Sequence, residues 1–269
     1  MSGAQIIVET LISQGVTTVF GYPGGQVLNI YDELYKASDR IHHVITAHEQ
    51  GASHAADGYA RSTGKVGVVI ATSGPGASNL VTGIATAYLD STPLVAITGN
   101  VPLPLIGRDS FQEVDIAGIT MPITKHNYIV KDVAHLQQTI REAFQIAKSG
   151  RPGPVLIDVP KDVQIAVYEY AAGGEVEAEP FQMPSEEELV RAAELIAASQ
   201  RPFIYSGGGI VSAEASKELL AFADRLDAPI GTSMMGLSAV PHDYPGFLGM
   251  TGMHGRYAAS KAMAEADLI

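Results

Sequence analysis

The chain contains no cysteine among its 269 residues. This absence excludes disulfides, thiolate metal sites and cysteine nucleophiles, and it fits the reducing cytoplasm in which we expect the protein to work. No run of about 18 apolar residues occurs, and the segment 1–8 has neither the basic nor the apolar region of a signal peptide. The sequence therefore predicts neither a membrane span nor secretion.

Positive charge is also scarce. Lysine and arginine number 17 against 29 aspartates and glutamates, for a net charge of −12, and the basic residues form no run that could neutralise a phosphate backbone. We therefore expect no nucleic-acid partner. Hydrophobic residues make up 46% of the chain, which is enough apolar material for about two compact domains.

Short β-branched runs alternate with helical patterns over the first part of the chain. Several of these runs are apolar throughout, as are strands that helices cover on both faces. Residues 1–165 are therefore predicted to form one α/β domain with a parallel sheet. The predicted strands are 17–20, 43–46, 66–71, 94–98, 128–130 and 155–159, and the predicted helices are 4–14, 51–62, 77–88 and 133–149.

The pattern lapses over residues 166–184, which are rich in glycine, glutamate and proline and are predicted to be a linker. Ser185, followed by three glutamates, is a helix-start signature, and it opens a second α/β domain over 185–269. The second domain is predicted to contain helices at 185–199 and 213–226 and strands at 202–206 and 229–232. Its last residues, 267–269, resemble the opening of another strand, so we expect this domain to be incomplete and the chain to be truncated.

Two polar segments follow predicted strands. Glycines in Gly21–Gly25 would let a ligand approach the backbone, although an ordinary strand-to-helix turn has the same composition. Glu49 stands where a strand ends and a helix begins, the position at which open α/β sheets bind ligands. The alternative for Glu49 is a helix-capping acid stabilised by the helix dipole, and we expect the neighbouring His48 to be structural.

Two further segments stand out. The small-residue turn over 71–79 has exposed amides that could hold an anion, but it matches neither a dinucleotide fingerprint nor a Walker loop. Residues 109–113 lie in a long loop, and loops of this length inside compact domains are usually functional. The sequence contains no Gly-x-Ser-x-Gly motif and no histidine pair at metal-ligand spacing, so it supports neither a serine hydrolase nor a metal site built from this chain alone.

Taken together and in order, the motifs resemble those of the acetolactate (acetohydroxyacid) synthase family over essentially the whole chain. The glutamate segment and the Gly-Pro-Gly turn resemble the general thiamine-diphosphate signature, and Phe-Gln-Glu together with the segments 123–127, 235–237 and 252–255 narrows the resemblance to this branch. The five motifs in chain order are Gly-Tyr-Pro-Gly-Gly, His-Glu-Gln-Gly-Ala, Thr-Ser-Gly-Pro-Gly-Ala-Ser-Asn, Asp-Ser-Phe-Gln-Glu and Ser-Gly-Arg-Pro-Gly-Pro-Val.

The resemblance implies a flavodoxin-like, three-layer pyrimidine-binding domain followed by an incomplete FAD-associated central domain. It implies an enzyme that decarboxylates pyruvate on thiamine diphosphate and condenses the hydroxyethyl unit with a second 2-oxo acid, the first step of branched-chain amino acid biosynthesis. The expected cofactors are thiamine diphosphate, FAD that is largely structural, and Mg²⁺ with ligands in a third domain outside these residues. The expected assembly is a homodimer or homotetramer that a small regulatory subunit can join.

The same resemblance assigns roles to individual residues. Glu49 would hydrogen-bond N1′ of the cofactor's aminopyrimidine, which favours the tautomer able to take the proton from thiazolium C2. Gly25, Ser73, Asn79 and Gln112 would line the cofactor. Phe111 and Lys161 would lie at the entrance of the substrate channel, and the FAD-binding positions would be Arg151, Gly207, Gly208, Gly209, Ser233, Met234, Thr251, Gly252, Met253 and His254.

Two alternatives stay open from the sequence. One is a different thiamine-diphosphate enzyme, such as a glyoxylate carboligase or a simple 2-oxo-acid decarboxylase. Glu49 argues against the carboligase, in which the matching position is apolar. Another is a non-catalytic chain that pairs with a separate chain carrying the missing domain. The sequence does not distinguish pyruvate from 2-oxobutyrate as the preferred acceptor.

Overall fold

A computed structural model describes residues 1–269, which divide into two compact units, Met1–Phe181 and Gln182–Ile269. The first unit is built on six parallel strands in the order β2-β1-β3-β4-β6-β5. The strands are β1 (Thr18–Tyr22), β2 (His42–Ile45), β3 (Gly67–Ala71), β4 (Leu94–Asn100), β5 (His126–Ile129) and β6 (Pro154–Pro160). The predicted parallel α/β fold is confirmed.

Helices cover both faces of this sheet. One core lies between the sheet and α1, α2 and α7, and a second core lies between the sheet and α3 and α5, so the unit has three layers. The helices are α1 (Gly3–Ser13), α2 (Leu28–Lys36), α3 (Glu49–Thr63), α4 (Pro75–Asn79), α5 (Val81–Leu89), α6 (Ile116–Thr120), α7 (Val133–Lys148) and α8 (Lys161–Ile165).

The central strands are apolar throughout because each face meets a different core. In β3, Val68 and Ile70 point to the α1, α2 and α7 side, whereas Val69 and Ala71 point to the α3 and α5 side. Every residue of β3, β4 and β6 is buried. Residues of this kind remove apolar surface from water on both sides, which is the main stabilising term for such a sheet.

Small residues bring α3 and α5 together. Ala52, Ala56 and Ser53 of α3 are fully buried, and a Cβ at Gly83 of α5 would lie 2.0 Å from the Ser53 hydroxyl oxygen. The two helices therefore approach as closely as their backbones allow, and this packing supports the start of α3, where Glu49 lies.

The elements of the first unit differ in places from the sequence prediction. The single helix predicted over 77–88 is wrong, because the chain forms α4 and α5 with a break at Leu80. Helix α2 was not predicted; its cap residue, Val27, makes no side-chain capping hydrogen bond, so no start signal marks it. The segment predicted to be a linker, 166–184, belongs to the first unit as far as residue 181. It is held there by a hydrogen bond from Gln14 to Gly174 O and by an ion pair between Lys148 and Glu175.

The second unit contains the parallel strands β7 (Ile204–Ser206), β8 (Ile230–Thr232) and β9 (Phe247–Met250). Its helices are α9 (Glu186–Ala198), α10 (Gly208–Ser212), α11 (Ser216–Leu226) and α12 (Tyr257–Glu265).

The helix predicted over 213–226 is wrong in its first turn, because Glu214 adopts a positive φ of 53° between α10 and α11. Neither β9 nor α12 was predicted. Leu268 pairs with Pro202 in an isolated parallel bridge, so the strand predicted to open at 267–269 stays a prediction.

The predicted capping signature at Ser185 is confirmed as a capping box, in which the Ser185 hydroxyl accepts from Glu188 N and the Glu188 carboxylate accepts from Ser185 N. No helix of either unit combines the length and apolar character that crossing a bilayer requires.

A buried polar cluster fixes the chain where it leaves β4. Asp158 of β6 is 1% exposed and accepts hydrogen bonds from Thr98 Oγ1, at 2.7 Å, and from Asn100 Nδ2. Asn100 Oδ1 in turn accepts from Val101 N at 2.8 Å. Burial is the main cause that raises the pKa of Asp158, to about 7, against the opposing effect of the two donors.

The close approach of α3 and α5 predicts opposite effects for two glycine substitutions. Gly83→Ala should destabilise the protein by about 1–3 kcal/mol, because its Cβ would overlap Ser53. Gly58→Ala, in α3 with open space around its Cβ, should stabilise it by up to about 1 kcal/mol through helix propensity. Urea unfolding midpoints of the two variants measure this, and equal midpoints would contradict the packing.

The raised pKa of Asp158 predicts a stability that depends on pH. Its contribution is fully present below the ordinary aspartate pKa of 3.8 and is lost as pH rises through about 7, because the folded chain holds the proton more tightly than the unfolded chain. The difference in unfolding free energy between wild type and Asp158→Asn should therefore shrink by roughly a few kcal/mol between about pH 4 and 8. A difference in unfolding free energy that stays constant over this pH range would contradict the raised pKa of Asp158.

Candidate functional site

The order of the strands creates a crevice at one edge of the first sheet. The connection after β1 leads to β2 on one side, whereas the connection after β3 leads to β4 on the other. The carboxyl ends of β1 and β3 therefore face a gap between diverging loops, the usual binding position in open parallel sheets. The Gly21–Gly25 segment spans the end of β1 and the turn after it, and the turn that starts at Thr72 follows β3.

Thr72 joins these two turns. Its Oγ1 accepts a hydrogen bond from Gln26 N at 3.1 Å, and a Cβ at Gly24 would lie 2.5 Å from Thr72 Cγ2. A Cβ at Gly76 would lie 2.7 Å from the same methyl group. Glycine at both positions is therefore required for the loops to close on Thr72. The sequence prediction gave Thr72 no role of its own.

Glu49 lies at the first residue of α3, below the turn after β3, and is 9% exposed. Its Oε2 accepts a hydrogen bond from Asn79 Nδ2 at 2.9 Å. His48 caps the same helix, because its Nδ1 accepts from Gln50 N at 3.1 Å. This contact agrees with the structural role expected for His48, which stays a prediction. Glu49 and Asn79, which the sequence assigned to one site, lie in direct contact.

The turn after β3 also contacts the loop that follows β4. Ser73 is 2% exposed, and its hydroxyl has no hydrogen-bond partner within the chain. Gly74 has a positive φ of 57°, and a Cβ there would lie 2.6 Å from the carbonyl oxygen of Gln112. Gln112 itself has a φ of 58°, which is unfavourable for a residue with a side chain. Ser73 and Gln112 thus belong to neighbouring segments of one edge.

The loop that carries Gln112 is folded by Glu113. The Glu113 carboxylate accepts hydrogen bonds from Ser110 N, at 2.9 Å, and from Gly107 N. These backbone donors lower the pKa of Glu113. Phe111 is 85% exposed at the tip of this loop, so its ring is available to a ligand or another chain.

Lys161, at the start of α8, donates from Nζ to Gly25 O at 2.9 Å, and burial lowers its pKa. It therefore lies beside the glycine turn, whereas the sequence grouped it with Phe111 at the entrance of the substrate channel. Gln164 was not predicted, although its Nε2 donates to Gln26 O at 2.7 Å and its Oε1 is buried without a partner. A single glutamine in a short helix carries no motif that would have revealed it.

Tyr31 was also missed by the sequence reasoning. Its hydroxyl donates to Ile70 O at 3.2 Å, and a Cβ at Gly21 would lie 2.4 Å from the Tyr31 hydroxyl oxygen. Burial and, secondarily, the charge of Glu49 raise the pKa of Tyr31. Its position on α2 could have been found only from the amphipathic pattern of that helix.

The residues predicted for FAD in the second unit all follow its strands. Gly207–Gly209 come after β7, Ser233 and Met234 after β8, and the segment 251–254 after β9. Because β7, β8 and β9 are parallel, these segments share one edge. At the same edge the hydroxyls of Ser206 and Thr232 are buried and have no hydrogen-bond partner.

Arg151 lies in the first unit, apart in sequence from the other predicted FAD residues. Its Nε donates to Ser91 Oγ at 2.6 Å and its Nη2 to Leu89 O at 3.1 Å, so the guanidinium caps the carboxyl end of α5.

Across residues 1–269, no group of three or more histidine, aspartate or glutamate side chains is arranged to hold a metal ion.

Comparison with known families gives two matches. Residues 1–119 match the thiamine pyrophosphate enzyme N-terminal TPP binding domain, and residues 189–269 match the thiamine pyrophosphate enzyme central domain. Both glycine turns, Glu49 and the loop of Gln112 fall in the first match. The strand-end segments of the second unit fall in the second match.

Curated relatives cover the whole chain. The probable acetolactate synthase large subunit of Methanocaldococcus jannaschii is 49% identical over 283 residues, which is 100% of this chain and 46% of that protein. The acetolactate synthase large subunit of Corynebacterium glutamicum is 48% identical, with 100% of this chain and 43% of that protein covered. The acetolactate synthase isozyme 2 large subunit of Escherichia coli is 48% identical, with 100% and 48% covered.

The chain thus spans about half the length of the curated relatives it matches. The two family matches follow each other in the order of the two structural units, and the relatives align over every residue. By these matches, the chain belongs to the thiamine pyrophosphate enzymes, as their N-terminal TPP binding domain followed by their central domain.

Proposed function

We propose that this chain forms the pyrimidine-binding and central parts of an acetolactate synthase. The proposed enzyme decarboxylates pyruvate and joins the remaining two-carbon unit to a second 2-oxo acid, the first step towards the branched-chain amino acids. The observation that carries the proposal is the buried Glu49 carboxylate at the switch point of the sheet, beside the Ser73 and Gln112 segments. The names of relatives at 48–49% identity support it.

The residues at this edge fit an aminopyrimidine. Glu49 offers a carboxylate oxygen to a ring nitrogen, and the unpartnered Ser73 hydroxyl can donate to or accept from the ring substituents. A Cβ at Gly25 would meet nothing within 4 Å, so this glycine leaves backbone open to a flat ring. When bound, thiamine diphosphate would supply a carbon nucleophile at C2. Glu49 holds a proton at the pyrimidine nitrogen, Gln112 lines the cavity, and Phe111 and Lys161 border the approach of the substrate.

FAD is proposed as a second cofactor, bound in part by the strand ends of the second unit. The triglycine turn after β7 allows a pyrophosphate to approach the backbone, and a Cβ at Gly209 would meet nothing within 4 Å. The buried hydroxyls of Ser206 and Thr232 lack partners, which fits a polar ligand at this edge. Arg151 remains a proposed FAD residue, with Ser233, Met234, Thr251, Gly252, Met253 and His254.

The remaining parts of the proposal concern groups outside these residues. Mg²⁺ would be held by ligands on a further domain, since residues 1–269 contain no suitable cluster. The large-subunit names of the relatives support an oligomer that a small regulatory subunit joins. The test of the whole proposal is to supply the full-length protein with pyruvate, Mg²⁺ and thiamine diphosphate and to identify the product, which should be acetolactate.

Replacing Glu49 by glutamine should reduce acetolactate formation by about 10²–10⁴-fold, because a neutral amide cannot hold the proton at the pyrimidine nitrogen. Hydrogen–deuterium exchange at C2 of bound thiamine diphosphate should slow by a similar factor. His48→Ala is the matched control and should change the exchange rate far less, because His48 only caps α3. Near-normal exchange in Glu49→Gln would contradict the proposed role.

Charge at the triglycine turn should control flavin binding. Gly209→Asp places a carboxylate beside the proposed pyrophosphate and should weaken FAD binding by about tenfold or more. Gly209→Ala fills the same open space without charge and should leave the affinity almost unchanged. A titration of flavin fluorescence measures both dissociation constants. Equal affinities for the two variants would place the pyrophosphate elsewhere.

A further inference from the structure

The two oxygens of the Glu49 carboxylate have different surroundings. Oε2 accepts the hydrogen bond from Asn79 Nδ2 at 2.9 Å. Oε1 accepts no hydrogen bond from the chain, and it faces Gly76, where a Cβ would lie 3.3 Å away. One oxygen is therefore held by a side chain of α4, and the other is left for a donor from outside the chain.

The position of Glu49 makes such a restraint necessary. A glutamate in the first turn of a helix is free to rotate, and it can turn back towards the unpaired backbone amides of its own helix. The amide of Gln50 is already taken by the His48 imidazole. The Asn79 donor, 30 residues further along the chain, then selects the one orientation in which Oε2 points to α4.

Asn79 is itself held in place. It is the last residue of α4, whose first turn packs through Gly76 on Thr72, while the preceding Gly74 contacts the Gln112 backbone. This short helix therefore packs on Thr72, its cap residue meets the loop after β4, and its last residue holds the Glu49 carboxylate. An amide is also neutral, so it orients the carboxylate without adding the positive charge that would oppose proton uptake.

We propose that Asn79 is a positioning residue for Glu49, which fixes Oε2 so that Oε1 meets the pyrimidine nitrogen, rather than a residue that binds the cofactor itself. This inference rests on the proposed function, since it gives Asn79 its part through the acid–base role of Glu49. General acid–base catalysis depends on placing the carboxyl oxygen within hydrogen-bond reach of the proton it transfers. Loss of the Asn79 donor should therefore impair proton transfer more than cofactor binding.

The contact can be tested in the chain without cofactor. In the ¹⁵N-labelled protein, the side-chain amide of Asn79 should give two well-separated proton resonances, one shifted downfield by the carboxylate. Glu49→Leu removes the acceptor and should bring that resonance back to the ordinary amide range. Ser78→Ala should leave it in place, because Ser78 is exposed on α4 and its hydroxyl bonds only Pro75 O. An Asn79 resonance that does not respond to Glu49→Leu would overturn the proposal.

The consequence for proton transfer is tested with Asn79→Leu in the full-length protein loaded with thiamine diphosphate and Mg²⁺. C2 hydrogen–deuterium exchange should slow by about 10- to 100-fold, the effect of losing one hydrogen bond to a charged group. The dissociation constant for thiamine diphosphate should change by less than about threefold, because the cofactor contacts remain. Ser78→Ala, on the same helix, should match wild type in both measurements.

The outcomes distinguish the proposed function from the proposed role of Asn79. Normal exchange in Glu49→Gln would overturn the proposed function and this inference together. Slow exchange in Glu49→Gln with normal exchange in Asn79→Leu would overturn only the role of Asn79. A large loss of cofactor affinity in Asn79→Leu with unchanged exchange in the bound fraction would make Asn79 a binding residue and overturn the proposal. If Asn79→Leu does not fold, the amide resonance in Glu49→Leu decides.

Discussion

The parallel direction of six strands in a fixed order is the constraint on which the rest of the first unit depends. Because β1 and β3 are neighbours whose connections diverge, two loops leave the same edge with a gap between them. The helix after β2 begins at this edge, so Glu49 enters the gap from the sequence position at which a strand becomes a helix. The loop after β4 completes the edge with Gln112.

Small residues turn this arrangement into a site. Thr72 contacts the turn after β1 and the turn after β3. These contacts are possible only because residues 24 and 76 are glycines. Gly83 likewise lets α5 pack directly on Ser53 of α3, which supports α3. The buried Asp158 cluster fixes the start of the loop after β4. The contacts that pack the scaffold of this fold therefore also position its polar groups.

The sequence predicts most of the first unit because its signals are local. Apolar runs such as 66–71 and 94–98 mark strands buried on both faces, and the glycine and glutamate segments mark where strands end. Helix α2 was not predicted because no capping side chain precedes it. Strand β9 was not predicted because it is short and contains Gly249, with a φ of 92°. The contact between Glu49 and Asn79 could not be predicted, since it joins residues 30 apart through the tertiary position of a five-residue helix.

The central claim is that Glu49 presents one carboxylate oxygen to the pyrimidine of thiamine diphosphate while α4 holds the other. An experimental structure of the full-length protein with bound thiamine diphosphate and Mg²⁺ tests it most directly. We predict that N1′ lies within hydrogen-bond distance, about 2.6–3.2 Å, of Glu49 Oε1 and that Asn79 is still bonded to Oε2. A pyrimidine bound away from Glu49, or one that itself accepts the Asn79 amide while Glu49 turns elsewhere, would contradict the account.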